Sequence, residues 1–99
     1  MTRSLVFRAQ AEQEFAAATE WYKGQNPKVA VEFVEAVDRI LNVILDNPYQ
    51  YQAIEGDIRR AVMRDFPYAI IYLAKEPELI VVSCFHTSRD PNIWRDRVR

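Results

Sequence analysis

The stretch CFHTSRDPNIWRDR, Cys84 to Arg97, gathers the chain's single histidine and single cysteine with three arginines and a tryptophan. A histidine can move a proton near neutral pH, and a guanidinium can clamp a phosphate or a carboxylate. Three readings are open: an active site, a recognition surface for another macromolecule, or the seam that fastens a C-terminal tail to a core. His86 is in phase with Ile80, Val82 and Cys84 along an apolar run. That phase puts it at the rim of an apolar face, as a hydrogen-bonded structural residue or as an acid–base group. Further upstream, alternation places Ile58, Arg60, Val62 and Arg64 on one strand face and Arg59, Ala61 and Met63 on the other. Arginines among apolar neighbours must be covered, paired with acids, or used to hold a ligand. Asp90 reads as a helix cap rather than a base. Trp94 either folds over a sheet edge or joins Arg89 and Arg95 in recognition. Trp21-Tyr22 belongs to helix packing or anchors a partner, since aromatics dominate interface hot spots.

Several chemistries have no support. One His and one Cys, with no ligand-spaced carboxylate pair, make no metal site. Gly24 and Gly56 are the only glycines, so a phosphate-cradling loop cannot be built, and no cofactor is expected. Spacing alone assembles no nucleophile–base–orienter set from Ser83, Ser88 and His86. Thirteen Lys+Arg against fourteen Asp+Glu leave a net charge of −1. Phosphate contacts supply most nucleic-acid affinity, so direct nucleic-acid binding is not expected. The charge is polarised instead. Residues through Gln50 hold seven acids and five bases, whereas Arg59, Arg60 and Arg64 cluster later, as do Arg89, Arg95, Arg97 and Arg99.

The elements that must carry these residues are readable by period. Ninety-nine residues suggest one domain, residues 1–99. Residues 3–8 read as a strand. Ala11, Phe15, Ala18 and Tyr22 recur at helical spacing, with a stop near Gly24. Asn26 is suited to an N-cap and Pro27 to the first helical position. Ala30, Phe33, Val34, Val37, Leu41, Ile44 and Leu45 then mark a helix of about twenty residues that Asn47-Pro48 ends. The short join makes the pair an antiparallel hairpin. YQYQAIEGD reads as a loop turning at Gly56. Strands follow at Ile58–Arg64, Tyr68–Ala74 and Leu79–His86, and Asp90-Pro91 starts a helical turn over 91–97. The order β-α-α-β-β-β implies an α+β domain, a helix hairpin on one face of a small, mostly antiparallel sheet. The other sheet face is expected to be at least partly open and to receive a partner. Cys84, inside an apolar run, reads as a buried hydrophobe in a reducing compartment. With no signal-like segment and no long apolar run, the expected location is cytoplasmic and the chain is not expected to meet a membrane.

Four pieces in this order, A..EF..A..WY in the first helix, NP ending the second, IRRAVMRDFPYAIIY and FHTSRDPNIWRDR, resemble the RelE/ParE superfamily. These are toxins of bacterial type II toxin–antitoxin modules. The resemblance covers nearly the whole chain. It implies a toxin held inactive by a cognate antitoxin, with which it forms a hetero-oligomer. RelE-like members cut mRNA on the ribosome, using basic residues on the sheet and a tyrosine or histidine near the C-terminus. ParE-like members poison DNA gyrase and are not known for catalysis of their own. The ribonucleases place an arginine straight after the aromatic that opens the third strand, where this chain has Ala69. Arg60 matches one basic position of their second strand, but Val62 fills the next. Trp94 falls where some have a tyrosine, and an indole cannot exchange that proton. The resemblance therefore favours the ParE-like branch, with gyrase as target and Arg60, Arg64, Tyr68, His86, Arg89, Trp94 and Arg95 as partner-binding candidates. The alternative is an mRNA endonuclease using His86, Arg60 and Arg89. A non-toxic interaction module is the third reading.

Overall fold

A computed structural model of the chain describes residues 3–90 and Arg95. Its elements are β1 (Ser4–Phe7), α1 (Ala9–Gln25), α2 (Pro27–Asp46), β2 (Gln52–Glu55), β3 (Ile58–Val62), β4 (Tyr68–Leu73) and β5 (Glu78–His86). The five strands form one sheet in the order β1-β5-β4-β3-β2. Every neighbouring pair is antiparallel except β1 with β5, which is parallel. The α+β class and the helix hairpin over one sheet face are as the sequence implies. The additional strand is β2, in the segment expected to be loop. It is an edge strand, paired only to β3, and its hairpin turns at Gly56 with φ 54°. That left-handed backbone favours glycine.

Asn26 alone separates the helices. Its N–H donates to the Tyr22 carbonyl at the end of α1, and its side chain accepts from the Lys28 N–H at 3.0 Å. One residue thus ends one helix and caps the next. The expected α1 stripe faces inward: Ala11 and Ala18 are buried, while Phe15 and Tyr22 pack on the core. In α2, Ala30, Phe33, Val37 and Ile44 are buried, whereas Val31, Val34 and Val43 are exposed. At the opposite end, the Arg3 guanidinium donates to the Leu45 and Asp46 carbonyls at 3.0 Å, satisfying the C-terminus of α2. The same guanidinium pairs with Glu76, which also accepts from the Tyr49 hydroxyl.

The sheet face away from the helices is not bare. Ile58, Ile71, Val82 and Phe85 form a second buried cluster there, with Ile54 and Leu73 packed against it. The expectation of a partly open face holds at its β3 end: this cluster is covered, while Val62 on the same side is 50% exposed. No helix among the described residues is long and apolar enough to cross a membrane. The expected helical turn over 91–97 lies outside the described residues, apart from Arg95, which is half-buried.

Candidate functional site

β1 runs beside β5 only as far as Val81, where the Arg8 N–H closes the pairing. Past that point, α1 takes over the flank of β5. The contact is made by Glu14, whose Oε1 accepts from the Ser83 hydroxyl at 2.9 Å and from the Cys84 N–H at 3.3 Å. Glu14 lies three residues after Ala11 and four before Ala18, on the inward helix stripe. A carboxylate at that spacing was the available signal for an inward polar contact. A buried serine, 0% exposed, is the reason it is needed.

This departure of β1 opens a groove of about 610 Å³ between α1 and the ends of β4 and β5. Gln10, Glu14, Ala17 and Trp21 line one wall at helical spacing. Tyr68, Cys84, His86 and Arg89 line the other. Ala17 and Ala18 have no side-chain bulk beyond Cβ, which creates the concavity. Trp21 stands at the rim, 60% exposed, edge-on to Tyr22 at 5.0 Å between centroids. The aromatic pair of the sequence thus divides, since Tyr22 packs inward against Phe33, Phe66 and Tyr68.

Tyr68 and His86 are register partners on β4 and β5, with rings edge-on at 5.0 Å. Burial pushes the Tyr68 hydroxyl above its ordinary range, with Tyr22 and Cys84 adding to the rise and Arg89 opposing it. Ser88 fixes the imidazole: its backbone N–H lies 3.2 Å from Nδ1 and its hydroxyl 2.7 Å away. A backbone N–H can only donate, so Nδ1 accepts and the neutral ring carries its proton on Nε2. The phase inferred from sequence for His86 holds with Cys84 but not with Val82. A bulge between Ile71 and Tyr72 sets Ser83 and Val81 against successive residues of β4, leaving Val82 between them. Val82 therefore joins the far cluster, while Cys84 joins the helix-side core. His86 ends up facing the helix-side groove, not the side of Val82.

The other candidates sit elsewhere. Arg60 is exposed on the strand face of Ile58 and Val62, away from α1. Arg64 lines a different cleft, with Arg39, Val43 and Tyr51. Trp94 lies outside the described residues, and Arg95 is half-buried. The groove thus unites Tyr68, His86 and Arg89 and excludes Arg60 and Arg64. Arg59, which sequence reading left without a role, is structural: it donates to the Tyr49 and Tyr51 carbonyls at 3.1 and 2.6 Å and stacks over the Tyr49 ring.

Cys84 cannot serve as a nucleophile at neutral pH. Burial, reinforced by Glu14, pushes its thiol from 9.0 up to about 12. The folded chain should resist a thiol-reactive disulfide reagent at pH 7 and react fully once denatured. The same shift fixes a sign. A pKa raised by folding gives stability that is complete below the unfolded value and lost as pH rises toward the folded one. Burial also pushes Tyr72 from 10.0 to about 12. The melting temperature should therefore fall above about pH 9, and Cys84→Ala should flatten the first part of that fall. A melting temperature that stays level to pH 11 would contradict the burial of both groups.

The sequence from residue 5 to 91 matches the family model of the ParE toxin of the type II toxin–antitoxin system parDE. Among solved structures, the chromosomal ParDE toxin–antitoxin system of P. aeruginosa superposes with a TM-score of 0.75. That match covers 88% of this chain and 98% of the other at 14% identity, a likeness of fold. No curated protein sequence matches the chain.

Proposed function

The chain belongs to the ParE toxin family of type II toxin–antitoxin systems, and from that premise we propose that it acts in the cytoplasm by binding and inhibiting DNA gyrase, without catalysis of its own, until a cognate antitoxin neutralises it. The observation that carries this reading is the separation of Ala69 from His86. The ribonuclease branch calls for an arginine at position 69. Here Ala69 is 1% exposed and paired with Phe85 of the far cluster, whereas His86 faces Tyr68 and α1. Even an arginine at 69 would meet the opposite sheet face from the imidazole. Arg60, another ribonuclease candidate, also lies away from the groove. The Nδ1 of His86 is committed to Ser88, and the Cys84 thiol stays protonated. What remains suits a surface that binds.

One observation favours the alternative, a ribosome-dependent mRNA endonuclease: His86 and Arg89 share the groove. The two readings separate on expression without antitoxin. Gyrase inhibition predicts relaxed plasmid DNA, gyrase-dependent double-strand breaks and a DNA-damage response, with transcripts intact. Cut transcripts on ribosomes, mapped by primer extension, together with normal supercoiling would reject it. Growth unaffected by expression would reject both and leave an interaction module.

A further inference from the structure

An open sheet has two outer edges, and in this one only the β2 edge is protected. There an extra residue between Ala53 and Glu55 breaks the register, and the strand closes on an acid. Both devices discourage a further strand from adding. β1, Ser-Leu-Val-Phe, has neither. It carries no charge and no proline, and its register with β5 is unbroken from Ser4 to Phe7.

The main chain of β1 fixes what can add to it. The Ser4 N–H donates to the Pro77 carbonyl and the Arg8 N–H to the Val81 carbonyl, each at 3.0 Å. Alternate residues of a strand address the same neighbour, so Ser4, Val6 and Arg8 turn toward β5. Leu5 and Phe7 therefore turn their N–H and C=O groups outward. Among the described residues, neither main chain has a hydrogen-bond partner on that side. Their side chains pack on the helix-side core, whereas Val6 points to the other side of the strand and is 41% exposed.

Two outward-facing residues on either side of one inward-facing residue are self-complementary. A twofold axis at Val6 sets Leu5 against Phe7 of a second copy, and Phe7 against its Leu5. Each pair then exchanges both of its hydrogen bonds, and every outward donor meets an acceptor. Val6 meets its own copy at the closer, non-hydrogen-bonded position and loses its exposure. Leu5 of the second copy comes beside Phe7, which already edges an apolar cleft with Phe15, Val34 and Leu41. The flanking Arg3 does not obstruct this, since it is turned to Glu76 and the end of α2. An uncharged strand also holds nothing that selects a charged peptide.

We propose that two copies of this chain join edge to edge through antiparallel β1 strands, making one continuous sheet. The contact is independent of how the protein acts. So short a strand falls below the roughly 1,200 Å² of a permanent interface, so the dimer is expected at a Kd of about 10–100 µM. Sedimentation equilibrium of the full chain from about 5 to 500 µM reads it. Val6→Lys and Val6→Glu each put like charges directly across the axis, at an exposed position that folding should tolerate. Thermal melts check that both fold. Each alone should weaken self-association about tenfold or more, and an equimolar mixture of the two should return to within about threefold of the wild type. Ala53→Lys, exposed on the other edge, should change it by less than about twofold. Amide exchange locates the contact, because protection of the Leu5 and Phe7 N–H groups should rise with concentration. A wild type that stays monomeric to about 500 µM would overturn the pairing. So would Val6 variants that associate like the wild type, or a mixture no tighter than either variant alone. A monomer whose Leu5 and Phe7 amides are protected at every concentration would mean that the chain covers this edge itself, and would also overturn it.

Discussion

Replacing Phe33 with alanine should cost about 3–5 kcal/mol, the range for emptying a buried aromatic site. For a chain of this size that is comparable with a large share of the whole folding free energy. Phe33 is fully buried in α2, and four rings surround it. Its centroid lies 5.7 Å from Phe15, 5.1 Å from Tyr22, 5.2 Å from Phe66 and 5.3 Å from Tyr68. These rings come from α1, the β3–β4 connection and β4, so one side chain of α2 joins the two layers. None of the four can move into the vacancy without abandoning its own contacts, and the cavity persists. The melting temperature should fall by about 4–8 °C for each kcal/mol lost. Val34→Ala, one residue away but 40% exposed, should change stability by less than about 1 kcal/mol. Denaturant titration of both variants checks the pair. A Phe33→Ala chain as stable as Val34→Ala would mean that the aromatic cluster does not hold the layers together. There is also a functional consequence. Tyr22 and Tyr68 line the groove and lean on Phe33. A Phe33→Leu chain that stays folded should therefore still loosen both rings and reshape the groove they line.

The helices and the two central strands were legible because burial imposes a period on them. The seven apolar positions of α2 repeat at three and four, and Asn26-Pro27 and Asn47-Pro48 bound them on both sides. β4 and β5 are apolar runs of strand length between turns. β2 gave no such signal. Gln52-Ala-Ile-Glu55 has one β-branched residue, and an extra residue at Ile54 interrupts its pairing, so alternation never develops. Its strand character comes from the neighbour it pairs with, which a local pattern does not encode. The bulge at Val82 is the second loss. Five consecutive residues from Val81 to Phe85 are all buried, so neither face is marked and the sequence cannot show where the phase slips. Cys84 and His86, beyond the slip, therefore lie on the opposite side of the sheet from Val82, with which the sequence puts them in phase. Arg60, Arg64 and Arg89 looked convergent for a related reason. Their spacing along the chain is visible, but the side of the sheet that each occupies depends on register.

Glu14→Ala should cost about 2–4 kcal/mol, because it orphans two buried donors at about 1–3 kcal/mol each. The Ser83 hydroxyl is wholly buried, and the Cys84 N–H sits where β1 no longer runs beside β5. Water cannot replace the carboxylate at the serine without opening the seam between α1 and the strand. Ser83→Ala alone should cost only about 0.5–1.5 kcal/mol, since it removes the hydroxyl along with its need for a partner. Made in the Ser83→Ala background, Glu14→Ala then orphans only the amide. The double variant should be more stable than the sum of the singles by about 1 kcal/mol, a coupling within the range for residues in direct contact. Amide exchange supplies an independent readout, because the Cys84 N–H should lose protection in Glu14→Ala and keep it in Ser83→Ala. Strict additivity, with Cys84 protected in both variants, would mean that Glu14 does not hold the β5 edge.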